Sequence, residues 1–230
     1  MKSSFHLHRP SLSSAISLLA FLAVPFLPFR AEAITLLDQP RNAFDTTSQV
    51  FPDLPDFSSA GFDDFTVTAP TTLTSIIVYG TEDGSSAKNV QVLAAIWSTP
   101  NLSGSPLVSF TGTETGSDLF FDSLAYDLSP GTYWLSAQIV RSISGGQWYW
   151  AESDTITGAD AVWQNPGNGF GYGSDPVPLP SGGQAFAFRI QGIPSIPAQS
   201  VPGPLPIFGT ISALAWSRRL RKRIQATRVR

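Results

Sequence analysis

The chain has 230 residues, 42% of them hydrophobic and 13% charged, with a formal net charge of −3, no cysteine, and histidine only at His6 and His8. The lack of thiols, and of imidazoles past residue 8, excludes disulfides, Cys or His zinc sites, cysteine nucleophiles and Ser-His-Asp triads from the body. The small net charge hides an acidic body, with four Lys/Arg against sixteen Asp/Glu from Ile34 to Gly203, and such a body repels nucleic-acid phosphate.

At the N-terminus, Lys2 and Arg9 precede an apolar stretch from Ala15 to Phe29, and Ala31-Glu32-Ala33 places small residues at −3 and −1 of a cleavage site. The pattern predicts a secretory signal peptide over residues 1–33, so that the mature protein begins at Ile34. A permanent anchor or a buried core helix fits less well, because Pro25 and Pro28 break a long helix.

From Ile34 to Gly192 the apolar residues fall in short bursts separated by Gly, Pro, Asn, Asp and Ser, with no sustained helical period. The predicted strands are Phe62 to Ala69, Leu73 to Gly80, Val90 to Trp97, Leu107 to Thr113, Leu119 to Asp127, Thr132 to Arg141, Gln147 to Ala151, Ala161 to Gln164 and Ala185 to Gln191. Nine strands without helices predict an all-β, antiparallel, jelly-roll-like sandwich of one domain over residues 34–192. In the run from Tyr133 to Ile139 the odd-numbered residues are apolar while Ser136 and Gln138 are polar, the alternation of a half-buried strand. Phe186 and Phe188 likewise share one face of the last strand.

Asn165 to Gly183 holds six glycines and four prolines and reads as a long functional or flexible loop. Residues 193–204 form a Pro-rich spacer, extended and semi-rigid. Beyond it, Leu205 to Trp216 is a twelve-residue apolar run, about 18 Å as a helix against a hydrocarbon core of roughly 30 Å. A basic cluster follows, and Pro204 to Arg230 carries seven Lys/Arg and no acid. The tail, residues 205–230, is therefore expected to form a short transmembrane or membrane-associated helix with its basic end inside.

Val201-Pro202-Gly203-Pro204, the apolar helix, and the cluster Arg218, Arg219, Arg221, Lys222 and Arg223 resemble the PEP-CTERM family of protein-sorting tails, in the variant of cyanobacterial exported proteins. Gly203 stands where the family motif has Glu. The resemblance implies a membrane-embedded, exosortase-type cysteine protease as partner, removal of the tail, and delivery to the cell surface or outer envelope. In the body, Ala60-Gly61-Phe62-Asp63-Asp64-Phe65, Gly131-Thr132-Tyr133-Trp134 and Gln147-Trp148-Tyr149-Trp150 are similar to phrases in bacterial surface proteins that carry such tails. That group implies a β-sandwich and no particular activity.

Two sets of residues carry candidate chemistry. Trp148, Trp150, Trp163, Phe170 and Tyr172 offer aromatic faces of the kind that stack on sugar rings, the alternative being that they fill the sandwich core. Asp63, Asp64, Glu82 and Asp83 are candidate oxygen ligands for calcium, though surface solvation explains them as well, and no other cofactor is expected. The expectation is a non-catalytic exported surface or matrix protein that binds exopolysaccharide, with the membrane as its second partner. The alternative is a glycan-active hydrolase using two facing carboxylates.

Overall fold

The computed structural model describes residues 32–83 and 91–195. Most of the expected signal peptide, the spacer from residue 196 onward, and the sorting tail with Val201, Pro202, Gly203, Pro204, Arg218, Arg219, Arg221, Lys222 and Arg223 lie outside the described residues. No helix among the described residues is long and apolar enough to cross a membrane.

The described chain forms fifteen strands: β1 Ile34–Gln39, β2 Asp45–Thr47, β3 Gln49–Val50, β4 Ala60–Val67, β5 Thr71–Val78, β6 Gly80–Asp83, β7 Gln91–Trp97, β8 Val108–Thr115, β9 Asp118–Phe121, β10 Tyr126–Leu128, β11 Gly131–Val140, β12 Gln147–Ala151, β13 Val162–Gln164, β14 Val177–Pro178 and β15 Phe188–Pro194. Its helical content is two 3₁₀ turns, Pro55–Phe57 and Ile143–Gly145. The fold is all-β, as the turn-punctuated apolar bursts predict.

The main ladder runs β1-β15-β5-β9-β8-β7-β11-β4-β13-β14, with β10 on β5 and β3 on β11, and a second sheet has the order β2-β12-β6. The pairs are antiparallel except β3 with β11. β8 joins the two halves of the long ladder, since its residues 108–112 pair with β7 and its residues 113–115 with β9. The ladder thereby doubles over into a sandwich, and the inward faces of both halves meet in one core. Phe65, Val92, Ile96, Leu135 and Ile139 come from one layer and Leu73, Ile76, Leu119, Phe121, Phe188 and Ile190 from the other. Burying each such side chain stabilises the fold by about 1.5–3 kcal/mol before the entropy cost of ordering the chain is counted.

Of the nine predicted strands only Gln147 to Ala151 keeps its bounds, most of the others shift by one or two residues, and β1, β2, β3, β6 and β14 were not predicted; two of the differences have a local cause. The predicted strand Leu119 to Asp127 divides into β9 and β10, both paired with β5, because Ser123 adopts φ 57° and turns the extended chain between them. The last strand also continues past Gly192, so that Ile193 and Pro194 pair with Thr72 and Thr71. β1 begins its pairing at Ile34 opposite Gly192, so the missing N–H of Pro194 faces no partner strand on that side.

Candidate functional site

The structure corrects three of the five expected sugar platforms. Trp148, Trp150 and Trp163 are fully buried, and each indole N–H donates to a backbone carbonyl: Ser117 O at 2.8 Å, Ala187 O at 2.9 Å and Thr47 O at 2.7 Å. Trp150 also stacks on Phe186 with ring centroids 4.4 Å apart. These rings are core with satisfied polar handles, and they present no face to a ligand.

The other two platforms emerge at the surface. Phe170 is half-buried and packs edge-on against Trp163 at 5.5 Å and Phe57 at 5.2 Å, while Tyr172 is 55% exposed and stands edge-on to Trp163 at 5.9 Å. Trp163 thus holds the glycine-rich loop by its two aromatic residues. Beside Phe170 runs an apolar groove of about 210 Å³ lined by Phe51, Leu54, Phe57, Ile143, Gln147 and Phe170. Leu54, Phe57 and Ile143 are exposed large hydrophobics, and Asp53 and Asp56 are exposed beside them. Phe57 sits in the first 3₁₀ turn, started by Pro55, and Ile143 in the second, anchored by its N–H donating to Asp53 Oδ1 at 3.2 Å. Sequence reasoning missed Leu54, Phe57 and Ile143. Their signal was an apolar residue next to a polar turn, which burial in a strand does not explain.

The four expected calcium ligands share no site. Asp63 and Asp64 are consecutive in β4 and therefore point to opposite faces. Asp63 Oδ2 accepts from Gln39 Nε2 at 2.9 Å and from the Phe186 N–H at 2.7 Å, and Oδ1 accepts from the Asp64 N–H at 2.8 Å. Burial pushes the Asp63 carboxyl from its ordinary 3.8 up to about 7, against the opposing pull of those donors. Burial also raises Asp64, whose carboxylate accepts from the Ala159 N–H at 2.8 Å. Glu82 accepts from Arg141 at 3.1 Å, and the same guanidinium donates to Glu114 at 2.8 Å. Asp83 is exposed at the end of β6. Among the described residues no three of His, Cys, Asp and Glu group as metal ligands.

A second cavity, of about 290 Å³, was also missed. It is lined by Asn42, Phe44, Glu152, Ser153, Asp154, Ile156 and the Ser181 to Gln184 end of the long loop. Glu152 is buried, and its Oε1 accepts from Thr46 Oγ1 at 2.7 Å and from Ser181 Oγ. The available signal was periodicity: Glu152 continues the inward parity of Trp148 and Trp150 beyond the end of β12. The long loop thus supplies Phe170 to the groove and Ser181, Gly182 and Gly183 to the cavity.

The chain matches no family model and no curated protein.

Proposed function

We propose that this chain is a non-catalytic exported envelope protein whose β-sandwich binds an extracellular polysaccharide free of anionic groups, with its C-terminal tail at the membrane. The observation that carries the reading is the groove of Phe57, Phe170, Leu54 and Ile143, with Tyr172 exposed nearby. Such a surface packs against the C–H face of a sugar ring and excludes water from it. Asp53 and Asp56 beside it, in a body of sixteen acids, disfavour uronate or sulfated chains. Export is supported by the A-x-A motif, and β1 begins at Ile34, so the expected cleavage leaves that strand whole. The basic tail supports an orientation with residue 230 inside, and a reporter fused after Arg230 is expected to remain protected from external protease.

The test is a pull-down of the purified full chain on insoluble cellulose, β-1,3-glucan and chitin, with alginate as the anionic control. Retention on a neutral polymer that the double variant Phe57→Ala, Tyr172→Ala loses, with an unchanged thermal melt, supports the reading. Retention on alginate alone, or binding indifferent to the two substitutions, sinks it. One observation favours the hydrolase alternative, namely that Glu152 and Asp154 line one cavity. Release of reducing ends from any of these polymers would decide for it.

A further inference from the structure

We propose that the cavity at Glu152 is a subsite for the ammonium group of an amino-sugar residue, an inference that rests on the glycan reading above and names the chemistry of the chain it takes. The basic residues among those described are Arg41, Arg141 and Arg189, and they pair with Asp118, with Glu82 and Glu114, and with Asp38 respectively. Glu152 is 1% exposed and therefore sits in the wall of the cavity as a buried acid with no described cation beside it, and Asp154 lines the same space. A buried carboxylate without a counter-charge is costly, and a bound cation relieves that cost.

Donors around the cavity are already engaged: Thr46 and Ser181 hydroxyls on Glu152 Oε1, Asn42 Nδ2 on Asp154 Oδ1 at 2.8 Å, and Gln184 Nε2 on Asp160 Oδ1, outside the lining, at 3.3 Å. What faces the space is acceptor-rich, which suits a group with several donors and no acceptor; an ammonium has three donors. Gly183 packs directly against the second carboxylate oxygen, since any Cβ there would collide with Glu152 Oε2. The rim completes the fit, since Phe44 and Ile156 are 64% and 48% exposed and flank the polar floor with apolar surface for a ring. At about 290 Å³ the space lies at the lower end of small-molecule sites, near roughly 300 Å³, the scale of a single sugar residue rather than a large ligand.

The experiment is calorimetric titration of the full chain with a glucosamine tetramer and with its fully N-acetylated counterpart, for the wild type and for Glu152→Gln and Gly183→Ala. The glucosamine tetramer is expected to bind at least about tenfold more tightly, the scale of one charge-assisted hydrogen bond, with the preference shrinking as salt is added. Glu152→Gln should erase the preference while Gln still accepts from Thr46 and Ser181. Gly183→Ala should weaken it with the charge kept. If Glu152→Gln fails to fold, competition of glucosamine monomer, but not N-acetylglucosamine, against the tetramer on the wild type carries the test. Equal affinity for both tetramers overturns the ammonium subsite and leaves the groove reading standing. No binding of either tetramer or of any neutral polysaccharide overturns both, and cleavage of the tetramer overturns the non-catalytic role of the cavity.

Discussion

The backbone N–H of Phe186 donates to Asp63 Oδ2 at 2.7 Å in the centre of the sandwich, which ties the chain entering β15 to β4 through a carboxylate that is 0% exposed. Gln39 Nε2 donates to the same oxygen and to the Phe186 carbonyl, at 2.9 and 2.8 Å, so three distant segments meet on one acid. No basic side chain among the described residues compensates the Asp63 charge, and desolvation dominates its titration.

Stability should therefore fall as pH rises from about 4 to about 7. The folded Asp63 holds its proton up to about 7 while the unfolded chain releases it near 3.8, so its contribution is full below 3.8 and is lost on passing 7. The shift corresponds to about 4 kcal/mol across that window, and Asp64 and Glu114, also raised by burial, act in the same direction. Denaturant unfolding at pH 4.5 and pH 8 checks this, with Asp63→Asn expected to flatten most of the slope. A stability that rises over the window would contradict it.

Trp150→Ala and Tyr172→Ala should separate core from surface. Trp150 loses its stack on Phe186 and its bond to Ala187 O, and the cavity left behind costs about 3–5 kcal/mol. Tyr172, more than half exposed, should change stability by about 0.5 kcal/mol or less. Paired thermal melts give the comparison.

Gly61→Ala should be destabilising by about 1–3 kcal/mol, although Ala is the smallest addition possible. A Cβ at Gly61 would lie 2.6 Å from the Phe186 ring and 3.1 Å from the Trp150 ring. A neutral result in urea unfolding would mean that this aromatic stack shifts without cost.

Arg141→Met should cost about 3–5 kcal/mol, because it strands two acids that the guanidinium holds at 3.1 and 2.8 Å in a largely buried site. Adding Glu114→Gln should recover part of the loss by removing one of the facing charges. A double variant no more stable than Arg141→Met would assign the loss to packing of the arginine stem instead.

Much of the fold was legible because strand periodicity is local. The parity of Tyr133, Leu135, Ala137 and Ile139 placed an apolar face on β11, and all four contribute to the core as read. Gln147 to Ala151 was delimited as observed, since Gly146 and the acids beyond Ala151 bound it. β1, β2, β3, β6 and β14 were not legible. β2, β3 and β14 are two or three residues long, and Gln49–Val50 is a strand only because Ile139 and Val140 lie beside it in parallel.

For the candidate site, the chain by itself determined which side chains were available: rings in the late segments, acids throughout the body, and neither thiol nor imidazole past residue 8. It also put Trp148 and Trp150 on one strand face. Which face is wet depends on what packs across from it, and only the doubling of the ladder at β8 and the placement of Phe186 and Phe188 decided that these two rings are core. The same long-range packing brought Thr46, Glu152 and Ser181 together and left Phe57 and Tyr172 exposed. Side-chain chemistry is carried residue by residue along the chain, whereas exposure and proximity are properties of segments distant in sequence and are settled only when those segments pack.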